Sequence, residues 1–549
     1  MIKTKDAVNL ILFFALLSAL ALLYPSNASC SNDEIKILKK QIEIFQNRLK
    51  YLEIKQKKSD DIIQRLEIIE KSQAKIKKES RMKAYWENGF RLEYNDPSNN
   101  RDYRFRIRTG LQFRYTYVDT DDDILYNGSP TGKNVDHTEN YSSFNMRRLR
   151  FYVDGTAPNK NWKYYVHVQL EPQSSVNVHD AYIQWQKFKE FRVQFGRMKI
   201  PAFGLEYWQS GFGQNGTDRT IFSGDSENDK DLFENRTYDF PGSNARLRVG
   251  NQRLKNGFPT GGFLLYRSQG FNINGCLDMF EQKDFLTYWA GVYNGRDTRG
   301  YSNTDDEMLY TMRIGINFLP GSDPKGPMGS KAFNNYTAQG DYHYNTTPLA
   351  AFITSGFWDN DKTKIAYSVI NDADEGFMSE NSDTHDIENY GFSGTFLFRY
   401  SGFSTDLEYA WEEFIQEGSD RETWQRWGTR LNIGYFIVPQ KWELVSKIAY
   451  VKRINDNDLE NSINSGLGLV KLKDGFTVED NLQQYILGIN HYLDGFNRYI
   501  TADVCWYHRG FDKVSAQDAL ALGLNPMHFD SSPDDQNETR LRIMYQFLF

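Results

Sequence analysis

Arg104-Phe105-Arg106-Ile107-Arg108-Thr109-Gly110-Leu111-Gln112-Phe113-Arg114-Tyr115-Thr116-Tyr117 is an alternating stretch. Phe105, Ile107, Leu111, Phe113, Tyr115 and Tyr117 share one parity, and Arg104, Arg106, Arg108, Gln112 and Arg114 share the other. Successive side chains of a strand point to opposite faces, so this is a strand with one greasy and one polar surface. Its apolar face is largely aromatic.

The pattern continues outward to the end of the chain. Trp162, Tyr164, Val166, Val168 and Leu170 oppose Lys163, Tyr165, His167, Gln169 and Glu171. Tyr310, Met312, Ile314, Ile316 and Phe318 oppose Thr311, Arg313 and Asn317. Phe392, Phe396, Phe398 and Tyr400 oppose Ser393, Thr395 and Arg399. In the last segment Leu541, Ile543, Tyr545, Phe547 and Phe549 alternate with Arg542, Met544, Gln546 and Leu548. A terminal strand ending on Phe is a recurrent assembly signal of outer-membrane barrels. Soluble sandwiches also use two-faced strands. Here there are roughly sixteen, about ten residues or longer, with aromatic apolar faces, as transmembrane barrels have. In lipid such strands must close on themselves, because an open edge leaves backbone groups without partners. The expected fold is all-β: a transmembrane antiparallel β-barrel of about sixteen strands over residues 85–549, preceded by an α-helical coiled coil.

The N-terminal segments read differently. Residues 1–28 have the layout of a signal peptide: Lys3 and Lys5, an apolar run from Val8 to Tyr24, then Ser26-Asn27-Ala28. An uncleaved anchor helix is the alternative. A lipid anchor on Cys30 is a third reading, disfavoured by Asn27 where an aliphatic residue is usual. Residues 33–84 lack Pro and Gly, and Leu38, Ile42, Phe45, Leu49 and Leu52 recur at steps of four and three. That is a coiled-coil seam. It breaks at Gln56 and Ser59 and resumes at Ile63 and Leu66. A solvated helical spacer is the plainer alternative. The expected place of this helix is the periplasm, where it would pair with copies of itself or contact the cell wall.

Composition fits this division. The chain has 41 Gly, 34 Tyr and 38 Phe but only 15 Pro, and aromatics reach 15%. A mean hydropathy of −0.65 excludes a helical membrane bundle and leaves a barrel possible, since half of each barrel strand faces water. Cys30, Cys276 and Cys505 form neither a disulfide framework nor a zinc cluster. The net charge of −7 argues against a nucleic-acid partner.

Several blocks resemble the phosphate-selective porin family, porins O and P. They are Arg147-Arg148-Leu149-Arg150, Asp180-Ala181-Tyr182-Ile183, Gln194-Phe195-Gly196-Arg197 and Lys199-Ile200-Pro201-Ala202-Phe203-Gly204-Leu205-Glu206. Trp289-Ala290-Gly291-Val292-Tyr293-Asn294-Gly295 and Gly434-Tyr435-Phe436-Ile437-Val438-Pro439 follow in family order, so the resemblance spans nearly all of residues 100–549. It implies a sixteen-stranded barrel in the bacterial outer membrane, a homotrimer, an inward loop over about 201–241, and passive uptake of anions. The departure is charge: beyond the leader and the helix, acids outnumber bases.

The expected pore lining is arginine-rich. Arg104, Arg106, Arg108 and Arg114 share one polar face, Arg148 and Arg150 the next, Arg246 and Arg248 another. Arg313 and Arg542 stand on polar faces further on, as do Arg399, Arg430 and Arg540. Guanidinium stays charged and grips oxyanions with paired donors, so a stacked set makes a rail for phosphate or carboxylate solutes. The competing arrangement pairs these arginines with acids such as Glu206, Glu171 and Asp154, leaving little net field.

Enzyme signals are poor. Gly211, Gly213 and Gly216 mimic a dinucleotide pattern without its strand–turn–helix setting. Gly128-Ser129-Pro130-Thr131-Gly132-Lys133 is one residue short of a phosphate loop and is followed by Asn134. The eight histidines lack metal-protease spacing, and acidic stretches such as Asp119–Asp123 and Asp456–Glu460 read as solvated loops before calcium sites. No enzyme activity, cofactor or metal is expected. The reading is a porin for anions such as phosphate or small anionic organic solutes, seated in outer-membrane lipid. The alternative is a structural barrel that tethers the envelope through its helix.

Overall fold

The computed structural model describes residues 32–79, 82–96, 100–120, 141–170, 176–223, 263, 265, 267–294, 307–320, 338–370, 378–416, 423–452, 469–472, 475–512, 515–521 and 535–549. The leader and Cys30, the acids at 121–123, Gly128–Lys133, Glu171, Arg246 and Arg248, residues 224–241 of the expected inward loop, and Asp456–Glu460 lie outside them. The chain divides into two units, Met1–Arg81 and Met82–Phe549.

The described residues of the first unit form one helix, α1 (Asn32–Glu79). Lys, Glu, Ile and Leu favour it, and nothing in the segment breaks it. Of the expected seam, Phe45, Leu52, Ile63 and Leu66 are all exposed. The helix is shorter than the expected 33–84. Glu87-Asn88-Gly89 is a tight turn, with Asn88 at φ 49° and Gly89 at φ 111°, and it folds Met82–Trp86 back onto Phe90–Tyr94. Residues 82–84 therefore join the sheet, and the β unit begins at Met82 rather than 85.

The second unit carries nineteen strands among its described residues. The first seven are β1 (Met82–Trp86), β2 (Phe90–Asp96), β3 (Arg101–Thr120), β4 (Tyr141–Thr156), β5 (Trp162–Gln169), β6 (Asn177–Trp185) and β7 (Arg192–Lys199). Next come β8 (Arg267–Met279), β9 (Gln282–Asn294), β10 (Met308–Pro320), β11 (Leu349–Ile370), β12 (Met378–Tyr400) and β13 (Phe403–Gln416). The last six are β14 (Thr423–Val438), β15 (Trp442–Lys452), β16 (Leu469–Leu472), β17 (Gly475–Asp494), β18 (Arg498–Asp512) and β19 (Gln536–Leu548). Two short helices intervene, α2 (Leu205–Trp208) and α3 (Ala516–Ala521).

Sixteen of these strands, β3 to β15 and β17 to β19, make a closed antiparallel ring. β19 closes it on β3, from Glu538↔Thr120 to Leu548↔Gly110. Phe549 adds a reciprocal backbone pair with Thr109, at 2.7 and 2.9 Å. The short β1 and β2 run beside the start of β3, and β16 lengthens only the tip of β17. Short turns such as 157–161 and 401–402 mark one end of the barrel, and long connections mark the other.

The faces follow the alternation. Phe113, Tyr117, Tyr310, Met312, Phe392, Phe396, Leu541 and Ile543 point outward and are exposed to what would be lipid. Gln112, Arg114, Thr311, Arg313, Ser393, Thr395 and Arg542 point inward and are buried. One position breaks step. Gln112 pairs with Arg148 but Phe113 with Met146, so Arg147 is the extra residue of a β-bulge. The bulge brings Arg147 inside beside Arg148, where strict alternation would have sent it to the outer face of the barrel.

Candidate permeation pathway

Beyond β7 the chain turns into the barrel. The Phe203 amide donates to Ser355 Oγ at 3.0 Å, the Leu205 amide to the Glu408 carboxylate, and the Ile221 amide to Gln484 Oε1 at 2.8 Å. Thr217 donates its amide and hydroxyl to Asp503, at 3.1 and 2.7 Å, and Gln546 Nε2 donates to the Phe212 carbonyl at 3.0 Å. These partners face inward from β11, β13, β17, β18 and β19, so residues 200–223 cross the lumen. Two wall glycines let the segment approach. A Cβ on Gly110 would lie 2.5 Å from the Phe212 ring, and one on Gly391 the same distance from the Phe203 ring.

Two carboxylates anchor this segment. Glu206, on α2, accepts from Thr220 and Ser223 hydroxyls at 2.6 Å each and faces Arg430 at 3.8 Å and Lys447 at 3.9 Å. Burial opposes its ionisation, but Arg430, Lys447 and the two hydroxyls outweigh burial and hold its carboxyl at about 2. Asp218 takes Arg114 at 3.0 Å, Arg147 at 2.6 and 3.0 Å, and Arg148 at 3.0 Å. Burial again opposes ionisation, and the three guanidiniums carry the Asp218 carboxyl well below the usual range.

The structure separates the expected pore arginines into groups. Arg104 is half exposed and bound to Asp102 at 2.9 Å. Arg106 and Arg108 share Asp154, at 2.8 and 3.2 Å. Arg114 and Arg148 meet at Asp218, while Arg150 reaches His179 at 3.1 Å. Arg313 donates to the Phe203 carbonyl at 3.2 Å and lies over Trp208. Arg542 pairs with Asp503 at 2.7 Å. An unbroken rail of arginines is therefore not what the lumen contains. Ion pairs to Asp154, Asp218 and Asp503 interrupt it.

The pairing is uneven around the ring. On β12 to β19, guanidiniums stand beside wall carboxylates: Arg399 with Asp406, Arg426 with Glu412, Arg430 with Glu408, Arg540 with Glu538 and Arg542 with Asp503. On β3 and β4, two arginines share Asp154 and three share Asp218. Next to them lies a cavity of about 400 Å³ between β4 to β9 and the inward segment. Arg148, Arg150, Lys163, Lys199, Arg219 and Arg267 line it, against one carboxylate, Asp180, among the described residues. Arg147, Arg219, Arg267 and Asp218 were not singled out from sequence. Only Arg147 carried a signal, its place in the Arg147–Arg150 block.

The model of the phosphate-selective porin O and P family matches residues 126–258. Over this stretch the chain is similar to that porin family. The match covers the bulged strand β4 and the inward segment, which together frame the cavity. Solved barrels of similar outline include OmpT of Vibrio cholerae in its trimer form, 12% identical over 81% of this chain and 99% of that one, TM-score 0.42. Others are the outer membrane channel DcaP of Acinetobacter baumannii (10%, 81% and 97%, 0.42) and an anion-selective porin from Comamonas acidovorans (10%, 81% and 99%, 0.41). No curated protein matches the sequence.

Proposed function

We propose that the chain is an outer-membrane porin, a channel and not an enzyme, that passes small anions, phosphate and anionic organic solutes among them, by diffusion along the basic side of its lumen. The observation that carries this reading is the six-to-one excess of cationic over acidic side chains around the cavity beside the inward segment. Clustered cations in a low-dielectric wall concentrate anions and exclude cations. Acids elsewhere in the chain do not cancel this field where they are already matched to arginines, as on β12 to β19. In planar bilayers under a potassium chloride gradient, the reversal potential should report anion preference. The preference should shrink toward 1 M salt, where the Debye length falls to about 3 Å. A cation-preferring wild type would sink the proposal.

We further propose that α1 lies in the periplasm and pairs with α1 of other copies in a homotrimer. Phe45 and Leu52 before the break in the seam, and Ile63 and Leu66 after it, are exposed on a single helix, and a narrow apolar stripe of this kind is stable when packed against another helix. Phe45→Cys and Leu52→Cys should each give crosslinked oligomers in intact cells. Monomers alone under oxidising conditions would count against pairing.

A further inference from the structure

The cavity is aromatic as well as basic. On its wall Tyr165 stacks on Tyr182, with centroids 5.2 Å apart and planes 26° apart, and Tyr152 stacks on His167 at 4.5 Å and 23°. Cross-strand register sets these stacks, since Tyr165 is directly opposite Tyr182 and Tyr152 directly opposite His167. Trp208 meets Trp289 edge to face at 5.3 Å on the side of the inward segment. Inorganic phosphate has no use for such surfaces. It is small, strongly hydrated and best held by charge and hydrogen bonds alone.

The polar tips are placed to receive a ligand. The hydroxyls of Tyr152, Tyr165 and Tyr182 make no hydrogen bond to a described residue, and Lys163 makes neither a hydrogen bond nor an ion pair to one. All four residues line the cavity. Lys163 precedes Tyr165 by two residues, so its ammonium rises from the same inward face one step toward the short-turn end. The wall thus offers stacked rings, three phenol donors and one ammonium in a cavity of about 400 Å³, within the usual size of a small-molecule site.

We infer that the cavity is a subsite for ring-bearing organic anions, in which Tyr165 and Tyr182 hold the ring and Lys163 the carboxylate of an aromatic acid in transit. This rests on the reading of the lumen as an anion path and adds a preference among anions. The physical cause is the π-face contact that an aromatic carboxylate makes and an aliphatic one cannot, added to the same charge attraction for both.

The test is chloride current through the intact porin in a planar bilayer, with benzoate or acetate added at constant ionic strength. Benzoate should half-block the current at a concentration about tenfold below that of acetate. Tyr165→Leu with Tyr182→Leu should bring the two within about twofold while chloride selectivity persists. Lys163→Gln, which leaves the rings in place, should weaken benzoate block severalfold. Equal block by benzoate and acetate in the wild type would overturn the inference, as would a folded double variant that keeps the preference. An unaltered Lys163→Gln would overturn the assignment of the carboxylate. Cation selectivity of the wild type in potassium chloride would instead remove the underlying anion reading, so the two failures are distinct.

Discussion

Asp218→Asn should loosen the inward segment and lower the melting temperature of the barrel more than any single arginine replacement. The variant keeps the size of the side chain and deletes the charge that Arg114, Arg147 and Arg148 converge on. All three guanidiniums are nearly inaccessible. Leaving buried charge uncompensated costs about 3–5 kcal/mol, far more than an intact pair contributes. The same change removes the carboxylate that these three cations share, so anion preference should rise as stability falls. Adding Arg114→Met should recover part of the lost stability, because it removes one of the stranded charges. Melting followed by loss of the compact electrophoretic form, with reversal potential in parallel, reads both effects. Unchanged melting and selectivity would show that the cluster neither holds the segment nor shapes the field.

The fold was legible because a barrel with an apolar exterior and a polar interior imposes a rule on every strand. Outward residues such as Phe113 and Ile543 must be apolar and inward ones such as Arg114 and Arg542 need not be, so period two survives along the chain. The helix ends before the expected 84 because the Asn88-Gly89 turn outweighs the helical composition of Met82–Ala84. The site was legible only as a list of inward arginines. Which acid each one meets depends on contacts remote in sequence: Arg114 with Asp218 across the lumen, Arg542 with Asp503 across a strand pair. Arg147 was hidden by a bulge, which leaves no mark in an alternation pattern except its failure. The aromatic stacks depend on register between strands, and alternation within a strand says nothing about register.

The two halves of the lumen also divide the work of charge. Where β13, β14, β18 and β19 supply both partners of an ion pair, as in Arg430 with Glu408 and Arg542 with Asp503, the pairs stiffen the wall and support the inward segment. Where β3 and β4 supply Arg114, Arg147 and Arg148 and the inward segment supplies the carboxylate they share, stability and selectivity become coupled through Asp218. A chain that is acidic overall can still carry a locally basic lumen wall, because the field at a narrow place depends on local pairing and not on net charge.

Glu206 gives that coupling a pH dependence. Its carboxyl falls from an ordinary 4.5 to about 2 in the folded barrel, with burial opposed and exceeded by Arg430, Lys447 and the hydroxyls of Ser223 and Thr220. A group whose folded value is depressed contributes stability that is fully present above its unfolded value and lost as pH falls through the folded one. A drop of this size corresponds to about 3 kcal/mol. Wild type should therefore hold its melting temperature from neutral pH down to about 5 as far as this group is concerned, then lose stability toward pH 2. Glu206→Gln keeps the shape and the capacity to accept from Thr220 and Ser223 but cannot attract Arg430 or Lys447. At pH 7 it should melt well below wild type. As pH falls from about 5 to about 2 the difference should close, because the wild-type carboxyl becomes neutral as well. Melting curves of both proteins across that range decide the matter. A gap that stays constant with pH would show that the loss comes from packing or hydrogen bonding, and that the charge of Glu206 does not hold the inward segment in the lumen.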